Sequence, residues 1–288
     1  MPESSSFVLR RMTGNDLGEA LQLSVAEGWN QTINDWMFLQ KNPDNLCIVA
    51  EMDGRIAGTA TALNHAGKVI WIGMVIVDKS LRGMGAGRML MSELIKKTGN
   101  NKCIKLDATP AGYPLYKSLG FIDEYRILRM TINSLHSGEN FLPDTIVDAL
   151  SKEFLPQIID QDADVFGVRR DNLMKHLFED YPEKSFFLAG KKNEGDFILG
   201  RNGTKYDYIG PLYSRSADNA KALLSRVLSN LKGKAVALDV LADKKELIRW
   251  LESSGFLVQR EFVRMYLKNN PYPGKPEFQF LISGPELG

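Results

Sequence analysis

Cysteine and histidine are nearly missing from this chain: two cysteines, Cys47 and Cys103, and three histidines, His65, His136 and His176, in 288 residues. Two distant thiols make no disulfide framework, and histidines this scattered make no dedicated zinc site, so no metal is expected. An excess of one charge is also lacking: 36 Lys plus Arg stand against 35 Asp plus Glu, for a net +1. That balance supplies no large field to hold a polyanion, which argues against nucleic acid as a partner. Long apolar runs are absent too. The longest, Val69 to Val77, has nine residues and is too short to cross a bilayer as a helix. The opening MPESSSFVLRRM has no apolar signal-peptide core. These absences lead us to expect a soluble, cytoplasmic protein with no membrane partner.

What is present is ordinary globular composition, 44% hydrophobic and 25% charged, at a length that suits two domains. The expected order begins with a strand at Phe7–Arg11 and a helix from Thr13 to about Ala26, with Leu17, Leu21 and Val25 as its buried stripe. A helix near Thr32–Gln40 follows. Strands at Leu46–Glu51 and Arg55–Leu63 are joined by Asp53-Gly54, a tight-hairpin signal. Val69–Val77 is apolar on both faces and reads as a covered central strand. Then come a helix from Gly87, a strand at Lys102–Ala108, a short helix at Tyr113–Leu119 and a strand at Arg126–Ile132. Polar Asn133–Thr145, with Gly138 and Pro143, reads as a linker. Beyond it we expect one helical region at Ile146–Phe178, strands at Phe186–Ala189, Phe197–Arg201 and Tyr206–Leu212, a helix at Asp218–Leu231, a strand at Ala235–Val240, a helix at Lys244–Ser253 and a strand near Val263–Lys268.

The order recurs, and so does the sequence. Leu106–Met130 resembles Leu238–Met265: Phe121 to Met130 and Phe256 to Met265 are each nine residues apart, each with Arg just before the Met. We read two copies of one fold, with domains at 1–133 and 146–288 and the linker at 134–145.

The segment that carries chemistry is Val75-Ile76-Val77 followed by Asp78-Lys-Ser-Leu and then Arg82-Gly83-Met84-Gly85-Ala86-Gly87-Arg88. A buried strand runs into a glycine-rich turn at a helix start. A helix N-terminus offers unpaired N–H groups and the positive end of the dipole, and glycines let backbone approach an anion. Such a loop suits a pyrophosphate. It lacks the Lys and hydroxyl of nucleotide-hydrolysing loops and the spacing of dinucleotide loops. Read alone, it also fits a glycine turn with no ligand.

The run V-x-x-x-x-R-x-x-G-x-G from Val77 to Gly87, the later LYKSLGF (Leu115–Phe121) and the element order resemble the GNAT acetyltransferase superfamily. The resemblance covers about Phe7–Ile132. The whole chain, including WNQT (Trp29–Thr32), LDATPAG (Leu106–Gly112) and the closing PELG (Pro285–Gly288), looks like a two-domain branch. The fold implied is α/β (α+β), a tandem of two mixed, mostly antiparallel sheets flanked by helices. The resemblance implies acetyl-CoA as co-substrate. Arg82, Gly83, Met84, Gly85, Ala86, Gly87 and Arg88 would take its pyrophosphate, and backbone of Val75, Ile76 and Val77 would pair with its pantetheine arm. It implies Tyr116 as the general acid on the departing thiolate; a phenol near pKa 10 keeps its proton at neutral pH. A core tyrosine is the structural alternative. Many members carry Asn seven residues before this Tyr; here Thr109 stands there, which leaves pantetheine contacts in that stretch open.

The Trp71–Val77 strand holds no carboxylate, so Asp107 is the leading candidate for general base. The alternative is an Asp that binds the turn amides of Thr109–Gly112, which its repetition as Asp239 favours. Glu27 and His65 are outsiders. Trp29 and Asn30, between the first two helices, either wall the acceptor site or plug a helix junction.

The second copy has lost the equipment. Ser214–Asn219 contains no glycine, and Leu251 matches Tyr116. It is expected neither to bind coenzyme A nor to catalyse, but to complete the acceptor pocket, with Asp164, Arg169, Arg170, Arg201 and Tyr213 as polar candidates there, each with the alternative of an ordinary surface or structural residue. The function expected is N-acetyl transfer to a primary amine of a small molecule, by direct attack. The rivals are a protein or peptide N-acetyltransferase and a non-catalytic acyl-CoA-binding protein. A duplication can replace a homodimer contact, so a monomer is expected.

Overall fold

A computed structural model describes residues 6–99, 102–135, 147–189 and 195–288. The linker is thus described only at residues 134 and 135. The chain groups into two compact units, Met1–Leu106 and Asp107–Gly288. This division falls earlier than the boundary between the sequence copies, because the last strand of the first copy takes its partners from the second.

In the first unit, β1 (Val8–Arg11), β2 (Leu46–Met52), β3 (Arg55–His65), β4 (Val69–Val77) and β5 (Cys103–Ala108, whose last two residues belong to the second unit) form a sheet in that order. All pairs are antiparallel except β4 with β5. Helices α1 (Leu17–Ala26), α2 (Ile33–Lys41) and α3 (Ala86–Thr98) complete it. Two capping boxes fix the entries to α1 and α2. Thr13 N–H donates to Asp16 at 2.7 Å and Thr32 N–H donates to Asp35 at 2.6 Å, satisfying donors a helix start leaves open. Asp16 also accepts two bonds from Arg10, which hold its carboxyl pKa down at about 2. The stripe expected on α1 is corrected: Leu17, Ala20, Leu23 and Ser24 are buried, while Val25 is exposed. Residues three and four apart share a face, and the face actually buried is set by Ala20 and Leu23.

The second unit contains α4 (Tyr113–Ser118), β6 (Phe121–Ile132), β7 (Asp148–Ala149), α5 (Leu155–Phe166), α6 (Asp171–Asp180), β8 (Phe186–Ala189), β9 (Gly195–Arg201), β10 (Asp207–Tyr213), α7 (Ala217–Ser229), β11 (Val236–Leu241), α8 (Lys245–Ser253), β12 (Leu257–Leu267) and β13 (Gln279–Leu281). Its sheet runs β12-β6-β11-β13-β10-β9-β8-β7. The single helical region expected at Ile146–Phe178 is two helices, because Gly167 takes a left-handed φ of 100° and ends α5. β6 and β12 start earlier than expected, since they pair along their length, Leu257 opposite Thr131 through Leu267 opposite Phe121. β7 and β13 carry no sequence signal. The core packs α7 and α8, through Leu223, Leu224, Val227, Leu247 and Leu251, onto Ile209, Leu238 and Val240 of the sheet.

Two buried ion pairs cross between the copies. Asp239 of β11 accepts two bonds from Arg129 of β6, at 2.8 and 2.7 Å. Asp107 of β5 accepts two from Arg264 of β12, at 2.8 and 2.9 Å. These are the repeated Asp and the repeated Arg of the sequence copies, each Asp joined to the Arg of the other copy.

Burial pushes the phenols of Tyr116, Tyr208 and Tyr213 above their ordinary pKa. The folded state therefore holds these protons more tightly than the unfolded chain, whose phenols titrate near 10. Their contribution is complete below pH 10 and is lost as pH rises, by about 1.4 kcal/mol per group per pH unit. Between pH 8 and pH 11 these three phenols should lower the stability read by urea unfolding by about 4 kcal/mol, and Tyr125, whose phenol burial also raises, by about 1.4 kcal/mol more. Tyrosinate absorbance from these groups should rise with unfolding rather than before it.

Candidate functional site

In the first unit the end of β4 runs into the glycine turn that starts α3. Register along β3 runs Gly58 opposite Val77 and Thr59 opposite Ile76, then jumps to Thr61 opposite Gly73. The one extra residue on β4 makes a bulge in which Met74 takes a φ of 49° and its carbonyl accepts from Thr59 Oγ1 at 2.8 Å. A bulge re-aims the strand that follows. On its other edge β4 pairs with β5 only from Val69 opposite Cys103 to Ile72 opposite Leu106. Among the described residues no strand pairs with that edge of Val75–Val77. Ile76 is buried, and Val75 and Val77 are half-buried. Gly58 allows the close approach on the β3 side, since a Cβ there would meet the Ile76 carbonyl at 2.7 Å.

Beyond Val77 the chain makes a tight turn. Asp78 accepts from Ser80 N–H at 2.8 Å and from its hydroxyl, bonds that hold the Asp78 carboxyl below the usual range. Gly83 and Gly85 sit at φ of 83° and 92°, so left-handed backbone, not crowding, requires glycine; a Cβ on either would meet nothing within 4 Å. Gly85 is the N-cap of α3 and no side chain caps that helix. Its first amides and the open space around the glycines fit a diphosphate. Met84 is exposed, Ala86 is buried, and Gly87 and Arg88 open α3, which packs Leu90, Met91 and Leu94 inward. Arg82 donates from Nε to the Val77 carbonyl at 3.3 Å and forms an ion pair with Glu27.

Trp29 is half-buried and Asn30 buried, between α1 and α2.

In the second unit, Tyr116 is buried on α4, its ring 6.0 Å from that of Phe121. Gly112 underlies it: a Cβ there would stand 2.8 Å from the Tyr116 ring. Thr109 closes the turn before α4, its hydroxyl accepting from Gly112 N–H at 3.2 Å and its carbonyl from Tyr113 N–H at 2.9 Å. Asp107 was a candidate for binding these turn amides. The partner is corrected: Thr109 binds them, and both Asp107 oxygens bind Arg264. Burial raises the Asp107 pKa and Arg264 opposes the rise.

The second copy is built differently at the corresponding strand and turn. β10 pairs with β11 only over Asp207–Ile209 and Val236–Leu238. Beyond that point β13 lies between them, Leu281 opposite both Leu212 and Val240. At the start of α7 the carboxylate of Asp196 accepts from Ser214 Oγ at 3.0 Å, Arg215 N–H at 3.2 Å and Asn219 Nδ2 at 2.6 Å. A protein carboxylate thus lies beside the turn that leads into α7, and Ser216 Oγ caps that helix by accepting from Asn219 N–H at 3.1 Å. Neither Asp196 nor β13 was singled out in the sequence; the missing glycines were the one available sign. Leu251 is buried in the core. Arg170, Arg201 and Tyr213 are buried as well: Arg170 binds Asp162, Tyr213 and the Gly288 carbonyl, and Arg201 pairs with Glu286. Arg169 pairs with Asp160 and Asp171, and Asp164 with Lys275. Among the described residues no group of His, Cys, Asp and Glu is arranged to hold a metal, and no helix is long and apolar enough to cross a membrane.

Both halves match acetyltransferase profiles. Residues 14–121 match one described as "Acetyltransferase (GNAT) family", and residues 158–281 one described as "Acetyltransferase (GNAT) domain". The chain belongs to the GNAT acetyltransferases, which are acyltransferase enzymes. Within them it is a tandem member. A putative acetyltransferase from Pyrococcus horikoshii shares its fold at a TM-score of 0.79 and 20% identity, over 100% of this chain and 99% of that one. A tandem GNAT protein from the clavulanic acid biosynthesis pathway does so at 0.66 and 13%, over 91% and 98%. The uncharacterized N-acetyltransferase YitH of Bacillus subtilis (strain 168) is 26% identical over 193 residues, 66% of this chain and 67% of its own. A glucosamine 6-phosphate N-acetyltransferase of Trypanosoma brucei brucei is 32% identical over 87 residues, 27% of this chain and 59% of its own.

Proposed function

We propose that this protein transfers the acetyl group of acetyl-CoA to a primary amine of a small molecule, and that the first copy alone does so. The carrying observation is the contrast between the copies: among the described residues no strand pairs with the free edge of Val75–Val77 and no side chain caps α3, while in the second copy β13 enters between β10 and β11 and Asp196 bonds to the turn before α7. Bound acetyl-CoA would supply an activated acyl carbon, and the amine nitrogen would bond to it as the carbon–sulfur bond breaks. Amides of Gly83–Arg88 and the Arg82 guanidinium hold the pyrophosphate. Backbone of Val75–Val77 pairs with the pantetheine arm and polarises the thioester carbonyl. Tyr116 gives its phenolic proton to the departing sulfur. The amine loses its proton to solvent; Asp107, with both oxygens on Arg264, is assigned to structure.

Thermal unfolding with and without acetyl-CoA tests this directly. At 100 times its dissociation constant a ligand stabilises by about 2.7 kcal/mol, a shift of several degrees. The parent should shift and Gly85→Glu should not, because the substitution puts a bulky anion on left-handed backbone at the cradle. A shift in the Gly85 variant equal to that of the parent would move the cofactor elsewhere; no shift in either would end the acetyl-CoA reading. An amine panel for turnover would begin with amino sugars, the acceptor class in the name of one relative.

A further inference from the structure

The end of α1 contributes an acid to the phosphate loop. Glu27 is the C-cap of α1, and its carboxylate forms an ion pair with Arg82 and lies 3.8 Å from Lys79 Nζ. Lys79 in turn donates to the Ala26 carbonyl at 2.8 Å. Both cations belong to the turn between β4 and α3. The Glu27 side chain is 18% exposed and that of Arg82 47%. The arginine can therefore swing toward a new anion more easily than Glu27 can follow. A helix C-terminus already carries partial negative charge, so the carboxylate and the last carbonyls of α1 form one anionic patch against the loop.

Resting on the proposed acetyl-CoA site, we infer that Glu27 is a built-in competitor for the pyrophosphate, occupying Arg82 while the cradle is empty and giving it up when the cofactor arrives. Glu27 is a positioning residue: it acts through Arg82 and touches no reacting atom. Its carboxylate weakens cofactor binding, since anions that share one guanidinium repel one another. It also ties the cofactor loop to the end of α1, two residues before Trp29. Cofactor entry then unfastens the loop from the segment between α1 and α2.

The test is a double-mutant cycle on acetyl-CoA affinity, measured by calorimetry at low and high salt with Glu27→Gln, Arg82→Gln and the pair. Glu27→Gln should bind acetyl-CoA about 2- to 5-fold tighter at low salt, the scale of an exposed ion pair, with the gain shrinking as salt rises. In the Arg82→Gln background the same change should leave affinity within about 1.5-fold, because the shared arginine is gone. A merely structural glutamate would weaken binding or leave it unchanged when replaced. Unchanged or weaker binding by a folded Glu27→Gln protein overturns the inference, as does an equal gain without Arg82. Failure of the parent to bind acetyl-CoA instead overturns the cofactor assignment on which it rests.

Discussion

Tyr116→Phe is expected to lower acetyl transfer by about 10²- to 10⁴-fold, the range for losing a positioned general acid, with acetyl-CoA affinity within about 2-fold of the parent. The phenol ring is already fixed by packing on Gly112 and Phe121, so deleting the oxygen leaves the ring in place and removes only the proton. Burial raises the phenol's pKa. The group is therefore fully protonated across the physiological range, and its ionisation cannot produce a rate decline near neutral pH. The measurement is release of the coenzyme A thiol, followed with a thiol reagent, using whichever amine of a panel the parent acetylates. Unchanged turnover in Tyr116→Phe would remove the acid assignment and return Tyr116 to the core.

Arg264→Met is the second large effect, and it falls on stability. Arg264 and Asp107 are buried and joined by two bonds, and Arg264 also donates to Tyr125 Oη at 2.5 Å. Removing the guanidinium leaves a buried carboxylate with no counter-charge. Such breaks cost about 3–5 kcal/mol, on the order of 10 °C in Tm for a chain of this size. Replacing both partners by apolar groups of similar size should return much of that loss, because no uncompensated charge remains. A cycle with Asp107→Leu measures the coupling. If Arg264→Met melts within about 2 °C of the parent, the pair has no such role. Asp107→Asn, assayed at a temperature where it is folded, separates the two readings of this residue: full turnover fits the ion pair, and a large loss of rate would restore a base.

The glycine turn at the start of α3 was legible because its signals are local. Gly83 and Gly85 stand in a run of seven residues, and left-handed backbone at a helix start demands that residue type. The duplication was legible for a similar reason, since Phe-to-Met spacing survives in both copies. The Asp–Arg repeats were visible as residues, but their exchange was not. The partners are 110 and 157 positions apart, and nothing in either segment says that each Asp meets the other copy's Arg. β13 was hidden for a different reason. It has three residues, and its role comes from the gap between β10 and β11 that it enters. The sequence showed only that the second copy has no glycines before α7; Asp196, which bonds to Ser214, Arg215 and Asn219 there, lies about 20 positions from α7's first turn and acts through tertiary contact alone.

The crosswise ion pairs also limit how the halves of such a protein can be recombined. A chimera joining residues up to the linker of this chain to the second half of a relative inherits Asp107 and Arg129 from one parent. It balances its core charges only if the other parent brings an arginine at the place of Arg264 and an aspartate at that of Asp239. Either one missing strands a charge in the interior, so the halves are exchangeable as a matched set and not as independent modules.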